Sequence, residues 1–433
     1  MTQPLLQQTS ANAQGDGAAG NSRLLDHFFW TLVSLSWRNL WRNRRRTWIT
    51  VSSIAFAVWF LIFARAMQDG TFDVMIDNGA RLLPGHYQIQ HPAYEDDPRV
   101  ENTFDVSADL QALAGYPAVQ HVSARAQGFA LVSAEERSYG AQIIGVDFAV
   151  ESQWSGLRDM IHVGAYPSQP GEALIGRTLA RNLGLQVGSE LVVLGTAKHG
   201  GIAALAARVA GIFDAAQPEL NRSLVKVHIA DFREAWNLGP TEGHAIVALF
   251  ERASQSDQVS DAHQSAYRVL PWQELMSDTN QMRDMKTIGT DVMFLVIAII
   301  IGFSVVNTFM MVVYERTAEF GVLTAIGMRP GWIRLQLQLE AFFLALVGIA
   351  LGFVLAYVIV ALVAENGVPM PVPADMLELY ARFNMADRLY PVFQWEALRT
   401  GSLIMFCGLQ LAAYVPGMRL QKLRPVEALR QET

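Results

Sequence analysis

Four stretches of this chain run without charge for about the 20 apolar residues that a bilayer crossing takes: Thr47 to Ala64, Val292 to Val313, Ala341 to Ala364 and Thr400 to Met418. The second (VMFLVIAIIIGFSVVNTFMMVV) and third (AFFLALVGIALGFVLAYVIVALVA) have no polar face, so neither suits a half-buried soluble helix. The first and fourth are weaker, with Ser in both and with Gly and Gln410 inside the fourth. With their flanks they predict transmembrane helices at 47–66, 288–313, 335–364 and 400–418.

Positive charge orients them. Arg38, Arg42, Arg44, Arg45 and Arg46 crowd the entrance to the first span. Arg316, Arg329 and Arg334 lie between the second and third, and Arg419, Lys422 and Arg424 follow the fourth. Basic loops stay in the cytoplasm, so residues 314–334 and both termini are expected inside a bacterial inner membrane. Residues 67–287 and 365–399 are then expected outside, and 419–433 form a cytoplasmic tail. Residues 24–46 mix aromatics with a basic end and read as an amphipathic helix on the inner surface. Trp30, Trp37, Trp41 and Trp48 are its interfacial anchors, and the arginines meet lipid phosphates rather than nucleic acid. Residues 1–23 are polar and small, without a basic start leading into an apolar core, and are expected to be a disordered cytoplasmic tail.

The stretch between the first two spans is far too long for a loop and must be a domain. Strand-like runs at 86–90, 141–146, 190–194 and 224–229 alternate with helical ones at 109–116 and 177–185. In 172–194 a strand, a helix ended by Gly184, and a Gly188 turn into a second strand follow one another. The fold expected is an α-helical membrane protein with four transmembrane helices and a large mixed α/β extracytoplasmic domain between the first and second.

Composition agrees: 51% of residues are hydrophobic and 17% charged, and a net charge of -7 argues against nucleic acid. The single Cys407 excludes an intrachain disulfide. His86 and His91 lack the further ligands that a zinc site needs. No catalytic constellation assembles, and there is no GxxxxGK[ST] phosphate loop. Arg65, Asp291 and Glu340 lie near span ends, where snorkelling accounts for them; Asn307 reads as interhelical glue.

The loop YERTAEFGVLTAIGMRPGWIRLQ (314–336) predicts a short charged helix. Glu315 and Glu319 fall one turn apart on one face, Phe320 and Leu323 on an adjoining one, and Gly327 and Pro330 stop it and turn the chain into the third span. Spacing alone leaves an ordinary polar loop equally open.

ERTAEFGVLTAIGMRPGWI (315–333) resembles the signature of the FtsX-like permease family of ABC transporters, although Phe320 stands where an aliphatic residue is usual. VPGMRLQKLRPVEALRQE (415–432), with Arg424, Pro425, Glu427 and Ala428, is similar to that family's closing motif. Residues 37–58 resemble its opening, and 85–92 and 172–194 look like the outer domain of its lipoprotein-releasing, LolC/LolE-type members; the permease half of MacB-type proteins is related.

The resemblance implies a permease subunit that binds no cofactor itself. ATP and Mg would be held by a separate cytoplasmic ABC ATPase, docked through Glu315, Arg316, Glu319, Phe320, Gly321, Gly327 and Pro330. It further implies a second permease subunit, contact with membrane lipids, and a lipoprotein cargo or periplasmic carrier. Val58, Phe60, Phe303 and Asn307 would line a cleft for acyl chains. The alternative is a scaffold that transmits force to a periplasmic partner, such as a cell-wall hydrolase, without moving cargo.

Overall fold

The computed structural model describes residues 29–94, 97–262, 265–369 and 388–420. These divide into two compact units, a helical one within 1–69, 286–367 and 390–433 and an α/β one within 70–285 and 368–389.

Four helices among the described residues are long and apolar enough to cross a membrane. Two overrun the spans expected from composition. Arg44–Leu82 and Ser277–Glu315 have 39 residues each, about 58 Å at 1.5 Å per residue, nearly twice a ~30 Å hydrocarbon core. The apolar code stops near Ala66, but nothing after it forbids helix until Pro84, and the helix ends at Leu82. The third, Pro330–Asn366, opens five residues ahead of the expected 335, with its proline in the first turn, where a missing N–H costs nothing. The fourth, Trp395–Leu420, carries Pro416 within it.

Small residues let these helices meet. A Cβ added at Gly348 would lie 2.7 Å from Ile54 Cγ2, and one at Gly352 2.7 Å from both the Ala55 carbonyl oxygen and Val58 Cβ. Gly348 and Gly352, four apart, therefore bring the first and third helices into close contact, as small residues do in membranes. Gly401 fits against the Phe294 ring and Gly408 against Ala298, which joins the fourth helix to the second. Gln410 is accounted for by Gln338, whose amide donates to its side-chain and main-chain oxygens at 2.8 Å.

The expected 24–46 helix differs. Residues 29–40 are helical, 41–43 turn, and a new helix begins at Arg44. Leu32, Ser36 and Leu40, spaced four apart, are buried. The Ser36 hydroxyl donates to the Gln336 carbonyl, and Trp37 meets Phe343 edge-on, so this helix packs on the third one.

In the α/β unit a ten-stranded sheet is threaded by the long strand Val119–Ala134. Its first part pairs antiparallel with Ala245–Phe250 and its second with Arg137–Val146. Parallel pairing joins Arg137–Val146 to Leu224–His228, and Glu172–Gly176 to Ile202–Phe213. The helix Arg177–Leu183 ends on Gly184 at φ +74°, the left-handed cap that glycine supplies. His86 is buried, its Nδ1 accepting the Phe250 amide; His244 Nδ1 accepts the Gln127 amide while Nε2 lies 3.1 Å from the Val100 oxygen.

Candidate functional site

The sequence singles out the connection between the second and third membrane helices, and the structure builds it as a short helix, Thr317–Ala325. Arg316 caps it with non-helical φ/ψ, so Glu315 closes one helix and Glu319 lies in the first turn of the next. The single turn expected to carry both glutamates is thus broken between them. Gly327 follows at φ +103°, a conformation that side chains resist, and Pro330 opens the third membrane helix.

Arg316 is the organising residue. Its guanidinium reaches Glu319 at 2.9 Å and Glu340 at 3.0 Å, and lies 5.0 Å from the centre of the Phe320 ring. Asn39 donates to the same Glu340 oxygen at 3.0 Å. The Arg316–Glu340 pair is almost wholly buried, at 9% and 6% side-chain exposure. Glu340 therefore does not snorkel as expected; it ties the third helix to the connection. Arg65 and Asp291 likewise engage each other at 3.8 Å, with Asp69 at 3.2 Å from Arg65.

Two arginines assigned to lipid phosphates are paired within the chain: Arg42 with Glu319 and Arg46 with Glu315, both at 2.9 Å. These exposed pairs contribute ~1 kcal/mol or less each. Breaking the buried Arg316–Glu340 pair would cost ~3–5 kcal/mol, so that pair, with Phe320, anchors the connection. Burial alone would raise the Glu319 carboxyl, but Arg316 and Arg42 hold it below the usual range and keep it ionised. A polar cavity of about 520 Å³ lies beside the network, lined by Asn39, Arg42, Arg46, Glu315, Arg316 and Glu340 among others.

Of the residues expected to meet an ATPase, Arg316, Phe320 and Gly321 are buried in this chain and shape the helix rather than present a surface. Glu315, Glu319, Gly327 and Pro330 are exposed. The exposed face also carries Val322 at 46% and Ile326 at 79%, which sequence reasoning passed over. The available signal was two aliphatic side chains four apart, on the same side of the helix as Glu315 and Glu319. Arg424, Pro425, Glu427 and Ala428 lie outside the described residues.

The expected cleft residues do not share one surface. Val58 is 3% exposed, packed against Gly352, and cannot line a cleft. Phe60 and Phe303 are exposed at 42% and 72%, and Asn307 is exposed on the second helix with Ile299, Ile300 and Met311.

The description "FtsX-like permease C-terminal" matches residues 292–425, and "MacB-like periplasmic core domain" matches 47–266, half of the chain. The pyoverdine export ATP-binding/permease protein PvdT of Pseudomonas aeruginosa is 27% identical over 347 residues, 75% of this chain but 50% of its own length. The lipoprotein-releasing system transmembrane protein LolC of Xylella fastidiosa is 23% identical over 69% of this chain and 74% of its own. The macrolide export ATP-binding/permease protein MacB of Shewanella oneidensis is 29% identical over 36% of this chain and 22% of its own. The chain thus spans about half the length of PvdT and less of MacB.

Proposed function

This chain belongs to the FtsX-like permease family of ABC transporters, with a MacB-like periplasmic core domain between its first two spans, and from that premise we propose that it converts ATP-driven closure of a separate cytoplasmic ATPase into motion of the outer domain that releases lipid-anchored proteins from the inner membrane. ATP and Mg stay with the ATPase, and a second permease subunit completes the machine.

The observation that carries the coupling half is the Thr317–Ala325 helix, fixed at its root by buried Arg316 and Glu340 while Val322 and Ile326 face solution. A partner pressing on those side chains pushes on a helix that Arg316 and Glu340 bind to the third span. The first and second spans extend as unbroken helices well past the apolar stretch. For the cargo half, support comes from the likeness to LolC and from span faces that are apolar, with exposed Phe60 and Phe303, rather than lined by the charges a polar channel needs.

The coupling test uses Ile326→Asp in the complex with its ATPase. The variant inserts and folds normally but loses stimulation of ATP hydrolysis and binds the ATPase roughly tenfold more weakly, as loss of an interfacial anchor does. Unchanged assembly and hydrolysis would remove the helix from the coupling path. For cargo, photocrosslinkers at Phe60 and Phe303 capture an acylated protein without ATP and lose it when ATP is added. Capture of phospholipid alone, with normal lipoprotein sorting in a deletion strain, favours the force-transmitting scaffold.

A further inference from the structure

The polar cavity of about 520 Å³ beside Arg316 has the volume of a small-ligand site and is built from the helical unit alone. Arg42, Arg44, Arg46 and Arg316 line it with two carboxylates, Glu315 and Glu340. Glu319, from just outside the lining, is a third carboxylate, shared by Arg42 and Arg316. Three of the four arginines therefore have partners: Arg42 has Glu319, Arg46 has Glu315, and Arg316 has Glu340 as well as Glu319. Arg44 has none among the described residues. It lines the cavity and is exposed, so its guanidinium is within reach of a ligand. The cavity thus carries one positive charge more than the carboxylates around it balance.

Two neighbouring features narrow the ligand. Arg44 opens the helix Arg44–Leu82, whose first turn holds three arginines in a row and no acidic residue. A helix N-terminus favours negative charge, so an anion at this wall meets both the arginine and the helix dipole. Asn43, on the turn before, adds an exposed amide to the same wall. The second feature is apolar. Trp48, Ser52 and Phe56 follow Arg44 at one-turn intervals, and all are exposed on a helix apolar enough to cross a membrane. Trp48 meets Trp41 edge-on, an aromatic pair of the kind that sits at headgroup depth. A soluble anion has no use for that strip, whereas an acyl chain does.

We propose that this cavity binds the head of one anionic diacyl phospholipid, with Arg44 and the Asn43 amide on its phosphate and an acyl chain along Trp48 and Phe56. A zwitterionic lipid brings its own cation and leaves the excess charge unbalanced, so a head of net negative charge is selected. The site uses this chain's residues alone and stands whichever cargo, or none, the outer domain handles.

The test is native mass spectrometry of the full-length protein in non-ionic detergent, titrated with dioleoyl phosphatidylglycerol or dioleoyl phosphatidylcholine. One phosphatidylglycerol binds roughly tenfold more tightly than phosphatidylcholine, the worth of a charge-assisted hydrogen bond. Arg44→Gln erases that preference. Arg45→Gln, which removes an equally exposed charge that does not line the cavity, keeps it. Both arginines are exposed and without partners among the described residues, so neither change threatens the fold. Inorganic phosphate, which has no chains, does not displace the bound lipid. Equal losses in Arg44→Gln and Arg45→Gln would reduce the effect to diffuse surface charge and overturn the site. Displacement by inorganic phosphate would overturn the lipid assignment. So would an Arg44→Gln protein that still prefers phosphatidylglycerol but binds its ATPase more weakly, since the cavity would then be a partner contact.

Discussion

Arg316 shows how much one side chain decides here, because its two carboxylate partners differ in burial and hence in worth. Glu340→Ala removes the buried partner, leaves Arg316 only the half-exposed Glu319 and is expected to cost ~3–5 kcal/mol, whereas Arg42→Ala, on an exposed pair, is expected to cost ~1 kcal/mol or less. Thermal unfolding in detergent separates the two, and equal shifts would contradict the ranking. In the outer domain burial pulls His244 and His86 down to about 4, and each holds a backbone amide through its neutral Nδ1. Their folded pKa lies below the unfolded 6.5, so their contribution is complete above about 6.5 and is lost as pH falls towards 4. His244→Asn, which keeps an acceptor without the titration, is expected to flatten the decline in stability between pH 6.5 and 4; an unchanged slope would clear His244 of the effect.

At the scale of elements, the spans and most outer-domain strands were legible because apolar runs and alternation are local codes. What escaped was pairing. Gly348 and Gly352 are visible as GxxxG, but nothing local says that Ile54 and Val58 fill them, so from sequence alone Val58 reads as facing a cleft. Likewise the arginines before the first span carry no mark that Glu315 and Glu319 hold two of them. Helix length was underestimated because hydropathy reports where lipid ends, not where the backbone stops. Two predictions belong here. Gly348→Leu drives a side chain into Ile54 and is expected to cost ~1–3 kcal/mol by overpacking, read as a lower midpoint in a thermal scan. Gly327→Ala, at φ +103°, is expected to weaken ATPase coupling while the protein still inserts, since the strain falls on the turn alone. A Gly327→Ala protein with full coupling would show that the turn's geometry is not used.

For the whole molecule, the orientation rests on the arginines and is open to direct labelling. With Cys407 replaced, a cysteine at exposed Ser107 is expected to react with an impermeant thiol reagent in spheroplasts, and one at Ile326 only after permeabilisation. Thr317 suggests itself from sequence, but it is buried and is a poor reporter. In the coupling proposed, ATP consumed on one side of the membrane moves the domain on the other. The most direct measurement places spin labels at Ile202 in the outer domain and Leu362 in the third helix, both exposed, in the complex with its ATPase. Trapping ATP is expected to shift the distance distribution, and Ile326→Asp to abolish the shift. A distribution indifferent to ATP while the bound ATPase turns over would contradict it.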